Sequence, residues 1–294
     1  MMTSAALAPE LPRRFLSAIG LPLWVMPPAL VLVGVFFYPL SLIVGQSFGA
    51  TAGPTLSNYA AVLGSSLFAN ALLHTVEISV TASAGCLVLG FILSLVLGFV
   101  PFPSSHVIGR MIDTFIALPT FLVTLAFTFI YGSAGALNEG LMHAFNLPQP
   151  PVSFLYSQWG VILAEITVYT PFIMRPLLAA FSLIDPTLIE VASSLGARPM
   201  RIIRQIILPA AVPALMAGGS LCLLLTVNEF GIVLFIGAKG VITLPLMVYD
   251  KAIQEFDYTS ACIFATVNVA LSLALYSLYR FLIGRFGARR AGLV

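Results

Sequence analysis

Charge is what this 294-residue chain has least of. Only 8% of its residues are Asp, Glu, Lys or Arg, about a third of the share in an ordinary soluble domain. With 60% hydrophobic residues, this excludes a soluble globular surface and leaves an integral membrane protein. Cysteine is equally sparse. Cys86, Cys222 and Cys262 lie far apart inside apolar runs, which rules out a disulfide framework and a zinc-ligand spacing. His74, His106 and His143 are scattered as well. There is no Walker-type phosphate loop, no His-Glu-x-x-His pair and no Gly-x-Ser-x-Gly elbow, so the chain carries neither its own ATP site nor a hydrolase centre. The expectation is a non-enzymatic protein with no catalytic residues, no cofactor, no metal site and no nucleic-acid partner.

What is present is a series of six apolar runs, read as an all-α polytopic membrane protein. The first covers Leu21 to Phe48 and includes Pro27, Pro28 and Pro39, which a membrane helix tolerates with local adjustment. The second, Leu67 to Val100, is longer than a bilayer needs and is expected to tilt or project. The third runs from Arg110 to Tyr131 with a kink at Pro119; a Gly-, Asn- and Pro-rich segment from Gly132 to Ser157 has room for one short interfacial helix. Gln158 to Ile184, Ala210 to Ile236 and Tyr258 to Ile283 complete the set. Residues 1–20 read as a cytoplasmic tail rather than a signal peptide, 21–66 as the first helix with its external loop, 67–284 as the transmembrane domain and 285–294 as a basic cytoplasmic tail.

Orientation comes from the arginines. If the connections alternate between two sides, Arg13, Arg14, Arg110, Arg198, Arg201, Arg204, Arg285, Arg289 and Arg290 fall on one, with Arg175 and Arg280 near helix ends pointing the same way. The other side receives Lys239 and Lys251 among Glu139, Asp250, Glu255 and Asp257. Positive charge marks the cytoplasm, so both termini are expected there.

One strongly polar stretch interrupts the apolar pattern on that side, Asp185 to Pro209. Asp185-Pro186 reads as an N-cap and first helical residue, and Gly196 as the left-handed residue that stops the helix. Arg198-Pro199 restarts the chain, and Pro209 is expected to mark a boundary or a kink at the far end of the stretch. The reading is of two short amphipathic helices. In the first, Leu188, Val191, Ala192 and Leu195 share a face; in the second, Arg201, Arg204, Gln205 and Leu208 oppose Ile202, Ile203, Ile206 and Ile207. A pair lying on lipid headgroups and a docking surface for a soluble partner are both compatible with these residues, although Asp185 and Glu190 oppose an anionic surface.

Acidic groups at membrane depth are the other signal: Glu77, Glu165 and Glu229, the last beside Asn228. Such groups mark a pathway or a buried pair. A continuous fifth helix would lift Glu229, twenty residues past Pro209, by about 30 Å to the far interface. Asn228, Glu229 and Gly231 are candidate pathway or gate residues, in a stretch that reads as a hinge or a tight loop. Ala217-Gly218-Gly219-Ser220 suits close helix packing. Asp113, three residues from Arg110, is expected to pair with it.

Glu190-Val191-Ala192, then Gly196, then Ile206-x-Leu208-Pro209, resembles the EAA signature of permease subunits in binding-protein-dependent ABC importers, with Val191 in place of the usual alanine. The resemblance extends from about His74 to Arg280. It implies the type I ABC importer permease fold (MetI-like), located in the bacterial cytoplasmic (inner) membrane. It also implies a cytoplasmic ABC ATPase dimer, a second and related permease chain and an external solute-binding protein as partners. In that family the motif forms coupling helices that fit the ATPase. Glu190 and Gly196 are the positions carried over to that contact, in a coupling stretch that also takes in Ala192, Leu208 and Pro209; Arg198 and Arg201 are expected to support it from their place in this sequence alone. Asn228-Glu229-Phe230-Gly231, Phe235-Ile236-Gly237 and Thr243-Leu244-Pro245 resemble the sulfate, thiosulfate and molybdate branch. The runs from Arg110 and from Gly218 look closer to 2-aminoethylphosphonate permeases. A stand-alone secondary transporter or channel is the competing class, and it leaves the Gly196 corner without a purpose.

Overall fold

A computed structural model describes residues 21–49, 56–101 and 103–290. The tail of residues 1–20, with Arg13 and Arg14, and residues 291–294 lie outside the described residues. Every element among those described is a helix, and six stretches are long and apolar enough to cross a membrane. In chain order the helices are α1 (Leu21–Ser47), α2 (Ser57–Leu63), α3 (Ser66–Phe99), α4 (Ser105–Ile116), α5 (Thr120–Tyr131), α6 (Ala136–Phe145), α7 (Gln158–Phe181), α8 (Pro186–Ser194), α9 (Pro199–Val227), α10 (Gly231–Ile236), α11 (Leu244–Tyr249) and α12 (Tyr258–Arg290).

The core is the packing of α3, α7 and α9 against one another. In a membrane, apolar helices gain little from leaving lipid, so close backbone approach has to hold them together. The sequence supplies it through small residues. On α3, Ala82, Cys86, Gly90 and Ser94 recur every fourth position and face inward; a Cβ on Gly90 would sit 2.9 Å from Ile173 of α7. On α9, a Cβ at Gly218 would stand 3.2 Å from the Cα of Ile173, and one at Gly219 would collide with the Tyr279 hydroxyl of α12. That hydroxyl donates to the Leu215 carbonyl at 2.7 Å. The expected packing role of residues 217–220 therefore holds, while the longer small-residue stripe on α3 is a new finding. Helix α1 packs chiefly on α12, and its apolar surface is otherwise exposed.

Three boundaries differ from expectation. The third run is broken rather than kinked: α4 ends at Ile116, Pro119 precedes α5, and the apolar stretch continues from Thr120 to Phe145. The short helix expected after Gly132 is α6. The fifth run stops at Val227, and α10, a loop, α11 and a π turn at Asp250–Gln254 complete the passage to α12. The sixth helix continues past Ile283 to Arg290.

Candidate functional site

At the arginine-rich end, Asp185 has extended backbone and its Oδ1 accepts the Thr187 amide at 2.9 Å, with Pro186 in the first helical turn. Hydrogen bonding to Thr187 holds the Asp185 carboxyl below its usual pKa. The helix closes in a Schellman arrangement: Gly196 N–H donates to the Ser193 carbonyl at 2.9 Å, and Ala197 N–H to that of Ala192 at 3.0 Å. Gly196 has φ +78°, a conformation that L side chains resist. No atom lies within 4 Å of where its Cβ would be, so conformation alone selects glycine here.

Helix α8 buries little. Ile189 and Ala192 pack toward the core, whereas Leu188, Val191 and Leu195 are exposed, the last by 83%. Ala192 thus belongs to the inner face and not with Leu188, Val191 and Leu195, because an i, i+3 pair with Ile189 points it the other way. Glu190 is exposed beside them, as are Arg198, Met200, Arg201 and Arg204. Gly196, Arg198, Met200, Arg201, Arg204 and Gln205 line an open hollow of about 570 Å³.

The second expected helix is not a separate short one. From Pro199 the helix runs unbroken to Val227, 29 residues. Pro209 does not end it. Residues Ile203–Ile207 form a π turn in which the Leu208 amide bonds the Ile203 carbonyl, five residues back. Widening the helix just before Pro209 eases the clash between a proline ring and the carbonyl four residues earlier. Ile202 and Ile207 are buried and Arg201, Arg204 and Gln205 are exposed, as expected, but Leu208 is half-buried and leaves the arginine face.

The other end of α9 is where the acidic groups meet. Glu229 is not near the far interface. It is 7% exposed; its Oε2 accepts the Tyr169 hydroxyl and its Oε1 accepts the Ile232 amide at 2.8 Å. Tyr169 is eleven residues into α7, about 16 Å from that helix's start. Thr226 bonds Ser83 at 3.0 Å, half-way along α3. Both place Glu229 at mid-depth, since α9 starts well before the membrane crossing. Glu165, one turn from Tyr169, is also buried, and its Oε2 receives no hydrogen bond.

Asn228 is exposed yet anchored: it donates to the Leu224 carbonyl at 2.8 Å and to Ser272 at 3.3 Å, and accepts from Asn268 at 2.9 Å. Gly231 stands over Glu229, where a Cβ would sit 3.4 Å from Oε1. Tyr169, Asn268 and Ser272 escape a reading of the sequence because a lone polar residue in an apolar run does not name its partner. Glu77 is exposed on α3. Asp113 pairs with Arg175 of α7, a partner on another helix that the sequence does not name, and Arg110 lines the same cavity as both.

Residues 87–291 match the family described as "binding-protein-dependent transport system inner membrane component". The chain belongs to that family. It is therefore a multi-pass inner-membrane component, and its fold agrees with solved structures. A bacterial ABC transporter that imports the acidic polysaccharide alginate matches 92% of this chain and 98% of its own, at a TM-score of 0.78 and 17% identity. The methionine ABC transporter MetNI in an inward-facing form gives 0.54 and 19% identity over 76% of this chain and 96% of its own. Among curated relatives, the putative 2-aminoethylphosphonate transport system permease PhnU of Salmonella paratyphi A is 62% identical over 91% of this chain and 93% of its own length. The sulfate permease CysT of Salmonella typhimurium is 30% identical over 70% and 73%.

Proposed function

We propose that this chain is one half of the membrane path of an ATP-driven importer for 2-aminoethylphosphonate, working with a separate ATPase dimer, a second related permease and an external binding protein. The observation that carries the substrate is the 62% identity to PhnU across nearly the full length of both chains; the sulfate alternative rests on 30%. In this reading the α8 corner and both termini face the cytoplasm, as the arginine distribution favours, and residues 67–284 form the transmembrane domain.

The ATPase engages the exposed side of α8, where Leu188, Val191 and Leu195 surround Glu190, with Arg198 and Arg201 across the Gly196 corner. Ala192, Leu208 and Pro209 act from within, holding the corner to the core and to α9. The unbroken helix from Pro199 to Val227 supports this role. A push at the corner reaches Asn228 without crossing a flexible joint, which is what a two-state element driven from outside requires. Asn228, Glu229 and Gly231 then lie at the far end of the lever, with Asn228 on the water-filled side. Glu77 joins it there, because an exposed carboxylate about 16 Å along α3 needs water or a partner's polar group.

The test is uptake of labelled 2-aminoethylphosphonate by cells lacking their own route and supplied with this chain, the second permease, the ATPase and the binding protein. ATP-dependent accumulation that excess sulfate does not displace is expected. Accumulation of sulfate instead overturns the substrate, and flux without the ATPase overturns the class.

A further inference from the structure

Two cavities meet on the face formed by α3, α4 and α7. One, about 530 Å³, is walled mainly by apolar side chains, among them Leu93, Phe115, Pro171 and Met174. The other, about 330 Å³, holds Arg110, Asp113 and Arg175. They share Leu97 and Ile112 as walls, so the apolar groove opens onto the charged cavity. Arg175 is seventeen residues into α7, about 26 Å along it, which puts the charged cavity near the arginine-rich end. Neither the family signature nor the Glu229 region accounts for these three residues.

We propose that Arg110, Asp113 and Arg175 form a site for an aminoethyl phosphonate or phosphate zwitterion. The chemistry is complementary group by group. Two guanidiniums suit a tetrahedral oxyanion, which they bind through paired N–H donors. One carboxylate suits the ammonium two carbons away, and the cavity has room for both ends. Asp113 and Arg175 already pair, but their side chains are 44% and 50% exposed, and an ion pair that wet is easily opened. The ligand can therefore insert between partners instead of displacing a buried bridge. The groove above offers few polar partners, so a charged ligand is held at this trio and not in the groove, and the solvent-exposed setting lets it leave again. The same zwitterion occurs free, as the solute of the importer proposed above, and as the headgroup of phosphatidylethanolamine. The free-solute assignment rests on that proposed substrate; the headgroup assignment does not.

The experiment uses the assembled permease–ATPase complex in nanodiscs of phosphatidylcholine, without binding protein, probed by ligand-observed NMR with 2-aminoethylphosphonate and ethylphosphonate. Wild type should bind the amino compound in preference. Arg175→Gln, and separately Arg110→Gln, should weaken both ligands about tenfold, the effect of one charge-assisted hydrogen bond. Asp113→Asn should erase the preference while ethylphosphonate binds at least as tightly as before, since Arg175 then loses its competing carboxylate. Equal binding by wild type and Arg175→Gln overturns the site, and so does equal loss of both ligands in Asp113→Asn, which is what a merely structural ion pair would give. Phosphatidylethanolamine nanodiscs separate the sources. Solute binding that persists there assigns the site to the free solute, and solute binding that disappears assigns it to the headgroup. Cells in which wild type carries no 2-aminoethylphosphonate refute the importer's substrate and leave the nanodisc result standing for the headgroup.

Discussion

Helix α9 begins and ends at breaks of opposite kinds. At its start, the corner between α8 and Pro199 is exposed on almost every side, and its shape comes from bonds within the local chain: the Asp185 cap, a Schellman turn and one positive φ at Gly196. At its end, the break after Val227 is buried at Glu229, and its shape comes from side-chain bonds to other elements: Glu229 takes the Tyr169 hydroxyl and the Ile232 amide while the exposed Asn228 is tied to Asn268 and Ser272. A surface corner can change its side chains without unfolding, so it can serve as a contact. A buried polar break cannot lose a partner cheaply, so it holds a joint in place.

The two ends should therefore fail in different ways. Gly196→Val should abolish uptake while leaving the chain in the membrane. A β-branched residue at φ +78° costs about 1–2 kcal/mol or more, enough to reshape a corner with nothing packed around it. Gly196→Asn, which tolerates that region, should retain much of the uptake; if Val and Asn behave alike, backbone conformation is not what the corner needs. Glu190→Lys, exposed and outside the core, should lose copurification with the ATPase at unchanged thermal stability, and a lowered Tm with the ATPase still bound would contradict the contact. At the other end, Glu229→Ala strands two buried donors at about 1–3 kcal/mol each and should lower the unfolding midpoint in detergent clearly. Glu229→Gln keeps an acceptor for Ile232 and should lower it less. A wild-type midpoint in Glu229→Ala would mean the carboxylate is not holding the joint.

The same contrast explains what could be read from the residues alone. The corner is local: Asp185-Pro186, Gly196 and Pro199 each act on their own backbone, so the helix ends are legible without any knowledge of the fold. The inward turn of Ala192 and the π turn before Pro209 are not. Both depend on what α8 and α9 pack against, and a proline in a sequence does not say whether the helix breaks or widens. The six apolar runs are legible by length, but the mid-depth position of Glu229 is hidden because α9 starts well outside the crossing, and counting from Pro209 assumes otherwise. Partners across helices, such as Tyr169 for Glu229 or Arg175 for Asp113, are sixty or more residues apart, and no local pattern joins them. The α3 stripe from Ala82 to Ser94 is visible at a spacing of four yet easily passed over, since small residues draw notice only when they are adjacent.

Between the two ends, the packing of α9 on α12 should show an intermediate effect. Gly219→Ala pushes a methyl into the Tyr279 hydroxyl, and Tyr279→Phe removes that oxygen together with its bond to Leu215. Each single change should cost on the order of 1 kcal/mol, and the double variant less than the sum, because the second change removes the tightest of the contacts the first one makes, although the ring carbon at 2.6 Å remains. Strict additivity of the unfolding midpoints would place the two residues out of contact.

The smallest effect belongs to the cap of the exposed corner. Its hydrogen bond to Thr187 holds the Asp185 carboxyl below the usual carboxylate value, so the cap's contribution is complete at neutral pH. It is lost only as pH falls below about 4 and through the lowered folded value, where the charged acceptor is protonated. Amide exchange in the first turn of α8, corrected for the intrinsic pH dependence, should hold its protection down to about pH 4 and lose it as pH falls further in wild type. In Asp185→Asn, whose side chain caps without titrating, protection should stay level across that range. A wild-type profile as flat as that of Asp185→Asn would show that the corner is held by Gly196 and the Schellman turn without help from its cap, and the contrast with the side-chain-built end of α9 would then be complete.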